Sequence, residues 1–534
     1  MPVRRLALAA VVLLVFGLAS AGRADESPEA QTTGEAADGA EAGQPKRVVY
    51  IPEIIRSQLR EEIKEEVLKR AVQEGWATPN AIPAWTQRFS LNADVRLRWE
   101  MVFFRRGNAN VNQFFDFNAI NTGQPFDLLG NDQANDRFLN VDQNRRRPRV
   151  RVRLGVDVDI GEGFSATLRL ASGDGNSPVS TNQTLGGAPG DFSKLQFWID
   201  RAGLTYAPFK GRPAGFMLEA GRFGNPFFST DLIWWNDLSF DGMALKAQVD
   251  TGWLRVFVNG GGFPYFITGF DFPAEQSQKV RSLDKWLVAG QLGLEVKKPE
   301  LFTLTVAAAY YYFDNIQGRP GTPCRTDWKG FSCDSDLSRP LFAQKGNTYM
   351  ALRTPTIEAL AAEGLGAAEY QYFGLAHLFR ELAITGRFEL KVAAQLAVTL
   401  DAEFVRNLGF SPRRVGTVAV NNLGACDENF LNCAYAGGLN GYLGRVSVGS
   451  PAMSKQWSWN LGVTYRSLES DAVVDAFNDP DFGLGGTNLK GFIFAGTVAL
   501  ADGVLATVRW MSANQVSGPQ YGVDVLHIDV TARY

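Results

Sequence analysis

Histidine is nearly absent from this sequence and cysteine is scarce, since the 534 residues include 2 histidines and 4 cysteines. Few side chains are therefore available for a metal centre or for a histidine-assisted nucleophile. The patterns G-x-S-x-G, H-E-x-x-H and the P-loop, which place catalytic groups at fixed spacings, do not occur. We therefore predict a protein that is not an enzyme and that binds no cofactor.

Long hydrophobic runs are absent beyond the N-terminus. Two arginines precede an apolar run from Leu6 to Leu18, and the small residues 19–21 follow it. The run is too short to span a bilayer and has the anatomy of a secretory signal peptide, predicted over 1–24. An uncleaved anchor helix is the alternative. No later window approaches 18 apolar residues, so the rest of the chain has no transmembrane helix.

A basic surface for nucleic acid is also missing, because the net charge is −3. Glycine is abundant, with 55 residues, and aromatic residues make up 12% of the chain. This composition suits many strands joined by turns better than it suits a helical protein.

The segment before the strands divides into three parts. Residues 25–46 lack large apolar side chains and are predicted to be a disordered linker. An amphipathic helix is predicted over 47–76, followed by a second linker over 77–85. The helix is compatible with a short coiled coil that assembles a homotrimer, with docking on a periplasmic rim, or with packing on its own chain. Its apolar seam consists of Ile51, Ile55, Leu59, Ile63, Val67 and Ala71.

From residue 86 onward, strict alternation between apolar and polar residues dominates. The stretch "RRRPRVRVRLGVDVDI" (145–160) places a bulky aliphatic residue at every second position from Val150, with arginine, glycine or aspartate between. Such a period of two is typical of a β-strand with one apolar and one hydrated face. A half-buried strand of a soluble sandwich would also show it. The repetition of charged faces on many long strands behind a signal peptide favours a transmembrane β-barrel over 86–534.

The connections between the predicted strands alternate between short and long. This asymmetry is typical of outer-membrane barrels, whose periplasmic turns are tight and whose external loops are long. We predict an all-β fold, a transmembrane antiparallel barrel of about sixteen strands preceded by the short periplasmic helix. The predicted strands are 87–104, 147–160, 164–172, 194–207, 215–223, 239–249, 252–259, 285–296, 301–313, 373–389, 394–408, 455–466, 471–477, 491–500, 504–513 and 523–534.

Several stretches resemble the bacterial "putative porin" family. They include "YIPEIIRSQLREEI…EGWATPNAIPAW", "LEAGRFGNPFFSTDLIWWNDLSFDGMALKAQ" and "SDAVVDAFNDPDFGLGGTNLKGF", and the resemblance extends from about residue 47 to Tyr534. It implies a porin-like barrel in the outer membrane of a Gram-negative bacterium. The final "HIDVTARY" resembles the C-terminal strand that the barrel-assembly machinery recognises, although Tyr534 stands where Phe is usual.

Arginine is concentrated on the face predicted to point inward in the first three strands. Neighbouring strands lie about 4.8 Å apart, so these side chains would form one basic wall. Such a wall would favour anionic or polar solutes. Alternatively, the arginines pair with Asp94, Glu100, Asp157 and Asp159 and only stabilise the wall. The predicted pore-lining residues are Arg96, Arg98, Arg149, Arg151, Arg153 and Arg169.

The third long connection, "GNPFFSTDLIWWND" (224–237), lies between the fifth and sixth predicted strands. In sixteen-stranded porins in general, this loop folds into the lumen, so the resemblance implies a constriction loop here. Its Asp231 and Asp237 would face the arginines, and Trp234 and Trp235 would either line the solute path or belong, with Trp457, Trp459 and Trp510, to interfacial girdles.

The four cysteines fall in two of the predicted long loops. Cys324 and Cys333 stand close together in the fifth, and Cys426 and Cys433 in the sixth. In an oxidising compartment two local disulfides are the direct interpretation, and pairing between the loops is the alternative. A metal site is disfavoured because no C-x-x-C pair exists.

We predict an outer-membrane porin that forms a water-filled channel for passive diffusion of small polar or anionic solutes. The alternatives are a structural or adhesive barrel with a blocked lumen and a barrel enzyme. An active receptor would need a larger domain before the first strand. The expected partners are outer-membrane lipid, small polar solutes, the assembly machinery and a homotrimer, without nucleic acid. The permeant solute and any gating do not follow from the residues.

Overall fold

The computed structural model describes residues 86–534 apart from 129–136, 176, 270–281, 328–329, 357–369 and 427–432, together with Glu62 and Glu66. The predicted signal peptide, both linkers and the helix over 47–76 lie outside these residues, except that Glu62 and Glu66 are helical and exposed. Among the described residues, none of the helices combines the length and apolar character needed to cross a membrane.

Sixteen long antiparallel strands form one closed sheet, which confirms the predicted barrel. The strands are β1 Phe89–Phe104, β2 Arg145–Gly161, β3 Phe164–Ser172, β4 Phe197–Tyr206, β5 Ala214–Gly224, β6 Ser239–Asp250, β7 Leu254–Phe266, β8 Lys285–Lys298, β9 Phe302–Asp314, β10 Arg380–Ala393, β11 Leu396–Asn407, β12 Asn440–Gly449, β13 Trp459–Leu468, β14 Leu489–Ala501, β15 Val504–Gln515 and β16 Gly522–Arg533.

The first and last strands close the barrel. β1 pairs with β2 along one side and with β16 along the other, in a register that runs from Asp94↔Arg533 to Phe104↔Val523. Because the barrel is closed, β1 is hydrogen-bonded to a neighbouring strand on each side, as a sheet in hydrocarbon requires.

Alternation along the strands separates an apolar outer face from a polar inner one. On β1, Leu91 and Leu97 are 64% and 55% exposed, whereas Arg98 is 4% exposed. An exposed bulky aliphatic side chain is stable when it faces lipid. On β2, Leu154 is exposed as expected, but Val150 is buried, because it lies opposite the short strand Gln183–Thr184.

Long loops occupy one end of the barrel and short turns the other. The long-loop end carries L1 (105–144), L2 (173–196), L3 (225–238), L4 (267–284), L5 (315–379), L6 (408–439), L7 (469–488) and L8 (516–521). These loops contain the helices Phe117–Thr122 and Pro412–Val418, the 3-10 turns Val111–Gln113, Asp336–Ser338, Asp475–Phe477 and Phe482–Leu484, and small sheets such as Tyr349–Ala351 with Phe373–Leu375. A further 3-10 turn, Thr86–Arg88, precedes β1.

The main buried core lies inside the barrel at its long-loop end. Leu232 and Trp234 of L3, Val473 of L7 and Tyr349 of L5 pack together with the inward-facing Phe313 of β9. The loops therefore fold into the lumen, where their apolar side chains bury one another.

One predicted strand is wrong, and another begins too early. Residues 471–477 belong to L7, and the strand counted in their place is β12, which lies within the predicted connection 409–455. Likewise, 373–375 belong to a small sheet in L5, and the barrel strand begins at Arg380. In both cases apolar residues are buried against other loops instead of against lipid.

One disulfide joins Cys324 and Cys333 within L5, with their Cα atoms 6.0 Å apart. In L6, Cys426 and Cys433 stand opposite each other in a two-stranded sheet, so their backbones are placed for a local bridge. The side chains of this second pair lie outside the described part of the chain.

Candidate constriction site

L3 crosses the lumen from β5 to the far wall. Thr230 donates from its backbone N–H and its hydroxyl to Glu403 Oε2 on β11, at 3.2 and 2.5 Å. The next residue, Asp231, forms an ion pair with Arg445 on β12. In a ring of sixteen strands, β12 lies nearly opposite β5, so the loop narrows the lumen as the predicted constriction loop would.

Hydrogen bonds and ring packing hold L3 in this conformation. The Gln291 side chain on β8 accepts from the Phe228 N–H and donates to the Phe228 carbonyl, both at 2.8 Å. Trp234 contacts Phe240 and Tyr311 edge-on, with ring centroids 5.0 and 5.2 Å apart. The Trp235 N–H donates to the Phe477 carbonyl of L7 at 3.0 Å. L3 and L7 therefore form one packed unit inside the barrel.

A charge cluster joins L3 to the arginines of β2. Asp94 on β1 accepts from Arg151 at 3.0 and 2.6 Å and from Arg153 at 3.2 and 2.9 Å. Asp237 at the end of L3 lies 3.0 Å from Arg153 and 3.5 Å from Arg151. Thr181 of L2 donates to the second Asp237 oxygen at 3.2 Å. Two cations and two anions thus balance one another.

A second cluster lies closer to the long-loop end. Arg98 donates to both oxygens of Asp529 on β16, each at 2.8 Å, and to Asp481 of L7 at 2.9 Å. Glu100 accepts from Arg147 at 2.5 Å and from Arg149 at 3.2 Å. All of these side chains except the half-buried Arg147 are buried, so their charges compensate each other in a medium that screens poorly.

L7 also brings Asp479 to arginines of the adjoining strands β13 and β15. Asp479 lies 3.2 Å from Arg466 on β13 and 3.2 Å from Arg509 on β15. Arg466 is fully buried, and its guanidinium stands 4.8 Å from the Phe482 ring. The acidic turn of L7 is therefore fastened to the barrel by buried charge pairs.

His527 lies between the carboxylates of Glu100 and Asp481, at 3.4 and 3.8 Å. This spacing of three ligand-type residues would admit a metal ion. However, Arg149 already binds Glu100 and Arg98 binds Asp481. The surrounding positive charge therefore disfavours a divalent cation here.

Arg96 differs from the other arginines of the wall. Its guanidinium donates to Asn182 Oδ1 at 2.5 Å, and its buried Nε has no acceptor. Within the described ranges, no carboxylate lies at ion-pair distance from it, whereas Arg169 binds Asp200 at 2.5 Å. Arg96 therefore contributes a positive charge without a direct counter-ion.

Of the acids expected to pair with the arginines, Asp94 and Glu100 do so. Asp157 instead accepts from Asn92 at 3.0 Å and from Thr167 at 2.5 Å, and Asp159 accepts from the Gly161 N–H. Their place is taken by Asp481 of L7 and Asp529 of β16, which the sequence did not indicate, and by Asp237 of L3, which was expected to face the arginines.

The tryptophans divide between the two faces. Trp234 is 2% exposed within the lumen core, so it does not belong to an interfacial girdle. Trp457, Trp459 and Trp510 are 57%, 44% and 43% exposed, as outward-facing residues at a lipid interface would be.

Two spaces adjoin L3 on the side away from L5. One is a cavity of about 670 Å³ with Lys246, Arg255, Glu295 and Arg387 among its lining residues. The other, of about 230 Å³, lies between L3 and β12–β15 and is lined by residues that include Arg509. Both linings are rich in charge, as a hydrated passage requires.

His377 is not arranged as a general base for Ser470. His377 Nε2 lies 2.9 Å from Asp471 Oδ1, and Ser470 donates to the other Asp471 oxygen at 2.8 Å. The aspartate therefore separates the hydroxyl from the imidazole, so the histidine cannot take the serine proton directly.

L7 docking is expected to depend on pH through Asp475. This residue is buried, and burial raises its pKa to about 7. When L7 is released, the carboxyl ionises near an ordinary pKa of about 3.9. The docked state thus holds an additional proton between those values, and docking weakens as the pH rises through this window.

Burial lowers the pKa of Lys345 to about 7. Below that pH Lys345 is charged in both the docked and the released state, so it does not change the pH dependence of docking there. We expect chymotrypsin to cleave L7 faster in the wild type at about pH 7.5 than at about pH 5, relative to Asp475→Asn at the same pH. An equal ratio at both pH values would show that Asp475 does not control docking.

A closed antiparallel barrel with an apolar outer face, a charged interior and an inward-folded third long loop defines a porin-type protein of the outer membrane. The family described as "Putative porin" matches residues 17–534. The chain therefore belongs to the putative porin family.

Three solved structures are similar to this chain at low sequence identity. OprB of Pseudomonas putida is 11% identical, with a TM-score of 0.42 over 84% of this chain and 94% of that chain. The channel DcaP of Acinetobacter baumannii is 9% identical, with a TM-score of 0.38 over 84% and 97%. OmpF of Salmonella typhi, in complex with daunomycin, is 9% identical, with a TM-score of 0.36 over 84% and 97%. No curated protein matches the chain.

Proposed function

We propose that the protein is a water-filled channel for passive diffusion of small polar solutes and that its constriction favours anions. The observation that carries this proposal is Arg96, a cation without a direct carboxylate partner beside a loop that spans the lumen. An uncompensated charge at a narrow, weakly screened point raises the local concentration of counter-ions.

The charge pairs around Arg96 define how the selectivity would work. Arg151 and Arg153 are neutralised by Asp94 and Asp237, so they orient dipoles more than they attract net charge. Arg96 then supplies the net positive charge that a passing anion meets. Polar, uncharged solutes would still pass by exchanging hydrogen bonds with these groups.

Planar bilayers containing the purified protein test this function. The proposal expects discrete single-channel steps and a reversal potential that indicates chloride preference over potassium in a salt gradient. Arg96→Gln should lower the chloride-to-potassium permeability ratio about sevenfold, because one charge about 7 Å away at the dielectric constant of water changes the occupancy of each ion about 2.7-fold in opposite directions.

Arg406→Gln is the matched control, because Arg406 is exposed on the outer face of β11 between the buried Val405 and Asn407. It should leave the ratio unchanged. A ratio unaffected by Arg96→Gln would contradict the assignment of Arg96 as the selectivity residue.

A structural barrel with a blocked lumen is the second candidate. It is favoured by the buried core that L3, L5 and L7 build inside the long-loop end of the barrel. The absence of conductance steps from protein that is folded in the bilayer would support this candidate over the channel.

Assembly and export are part of the proposal. Tyr534 extends the last strand, since its N–H donates to the Ala93 carbonyl at 2.9 Å. We propose that this terminal strand is read by the barrel-assembly machinery after removal of the signal peptide 1–24. We also propose a homotrimer, which the helix predicted over 47–76 would help to assemble.

A further inference from the structure

A cavity of about 310 Å³ lies between L3, L5, L7 and strands β6–β8, at the long-loop end of the barrel. Its walls are mainly aromatic and aliphatic, with Trp234, Phe263, Phe313 and Phe477 among the lining residues. This volume lies at the lower end of the range for small-molecule sites. The walls therefore offer an apolar surface for one ring-sized molecule.

Lys285 supplies a buried cation to this cavity. The residue is 3% exposed, and its ammonium donates to the carbonyl oxygens of Ser338 and Arg339, both at 3.0 Å. An ammonium has three donors, so these two bonds leave one. In the described part of the chain, no carboxylate comes within ion-pair distance of Lys285.

Arg339 is a second cation in the same lining. It donates to the Asn121 carbonyl at 2.8 Å and to the Asp336 carbonyl at 2.6 Å, and its guanidinium stands 4.3 Å from the Tyr372 ring. Its neighbours are thus carbonyl oxygens and an aromatic face, and the described residues place no carboxylate at ion-pair distance from it either.

The acids of the lining do not offset these two charges. Both carboxylate oxygens of Asp241 accept from Arg222, at 2.9 and 2.8 Å, so the charge of Asp241 is neutralised. Asp475 accepts from the Tyr349 hydroxyl at 3.0 Å, and within the described ranges it forms no ion pair with Lys285 or Arg339. The lining therefore carries an excess of positive charge beside apolar walls.

We propose that this cavity binds a small apolar monocarboxylate, with its carboxylate on the Lys285 ammonium and its hydrocarbon part against Phe263 and Phe313. A charge-assisted hydrogen bond would orient the anion, and the apolar walls would favour it over equally charged but hydrated ions. The site goes beyond the proposed channel function, because binding requires no flow through the lumen.

Calorimetric titration of the full-length protein in detergent with sodium benzoate tests the site. We expect saturable binding of one benzoate per chain. Benzyl alcohol, which has the same ring but no charge, should bind at least about tenfold more weakly, corresponding to about 1.4 kcal/mol. Sodium acetate, which has the charge but no ring, should also bind more weakly.

Lys285→Met should weaken benzoate binding at least about tenfold, whereas Lys285→Arg should retain most of it. Lys297→Met is the matched control, because Lys297 lies on the same strand but pairs with Glu295 at 2.8 Å and does not line the cavity. It should bind benzoate like the wild type.

Equal affinity for benzoate and benzyl alcohol would overturn the proposal even if Lys285→Met does not fold, and so would unchanged affinity in a folded Lys285→Met protein. Absence of benzoate binding to the wild type would overturn it as well. None of these outcomes bears on the channel, which the bilayer recordings test separately.

Discussion

Replacing Arg98 by Met is expected to lower the free energy of unfolding by about 3–5 kcal/mol, the cost of breaking a buried ion pair by removing one partner. The guanidinium donates to Asp529 through two nitrogens and to Asp481 through the third, and all three residues are buried. Methionine fills a similar volume but leaves two carboxylates without their main counter-ion.

The effect should extend from the barrel wall to L7, because Asp481 belongs to that loop. Unfolding of the protein in phospholipid vesicles by denaturant, followed through tryptophan fluorescence, measures the loss. Faster proteolysis within L7 should accompany it. Arg406→Met, which removes an exposed arginine from the outer face, is expected to change stability by less than about 0.5 kcal/mol.

A double substitution separates charge from packing. Arg98→Met with Asp529→Leu should cost less than the sum of the two single changes, because the double variant leaves only Asp481, and not Asp529, without its counter-ion. If the two changes in the free energy of unfolding were additive, or if Arg98→Met alone lowered it by less than about 1 kcal/mol, water would be stabilising the charges of Asp529 and Asp481.

The strands with charged inner faces could be predicted from their residues alone. In β2, valine or leucine alternates with arginine, a pattern that is stable in a sheet with hydrocarbon on one face and water on the other. β12 was missed because Gly444 interrupts its outward face and Leu443 places an apolar side chain on its inner face, so its period of two is faint.

L7 shows the opposite error. Val473 and Val474 look like part of a strand because apolar residues must be buried, but the pattern does not reveal what buries them. In the folded protein they pack against the core inside the barrel. A short apolar run therefore predicts burial and leaves open whether lipid or another loop provides it.

The same limit applies to the candidate site. The arginines of β1 and β2 follow from alternation, and Arg466 and Arg509 could have been found by extending that argument to the last strands. Their partner Asp481 could not, because it comes from a loop, and only the family resemblance places Asp237 opposite the arginines. Pairing across the lumen depends on how L3 and L7 fold, which local pattern does not specify.

Asp237→Asn is expected to raise the chloride-to-potassium permeability ratio about threefold to tenfold, the range for one unit of charge acting on both ions at a narrow point. Asp237 is 6% exposed and lies between Arg153 and Arg151, whose remaining carboxylate partner is Asp94. Asparagine keeps the shape and the contact with Thr181 while it leaves one of the two cations unbalanced.

Reversal potentials in a KCl gradient measure the shift, and Asp502→Asn in the exposed β14–β15 turn is the control with the same charge change. Because the screening length falls from about 10 Å at 0.1 M salt to about 3 Å at 1 M, the shift should shrink at high salt. Asp237→Asn and Arg96→Gln should therefore move the ratio in opposite directions. If Asp237→Asn raised conductance without changing the ratio, L3 would have left the lumen, and its contribution would be steric instead of electrostatic.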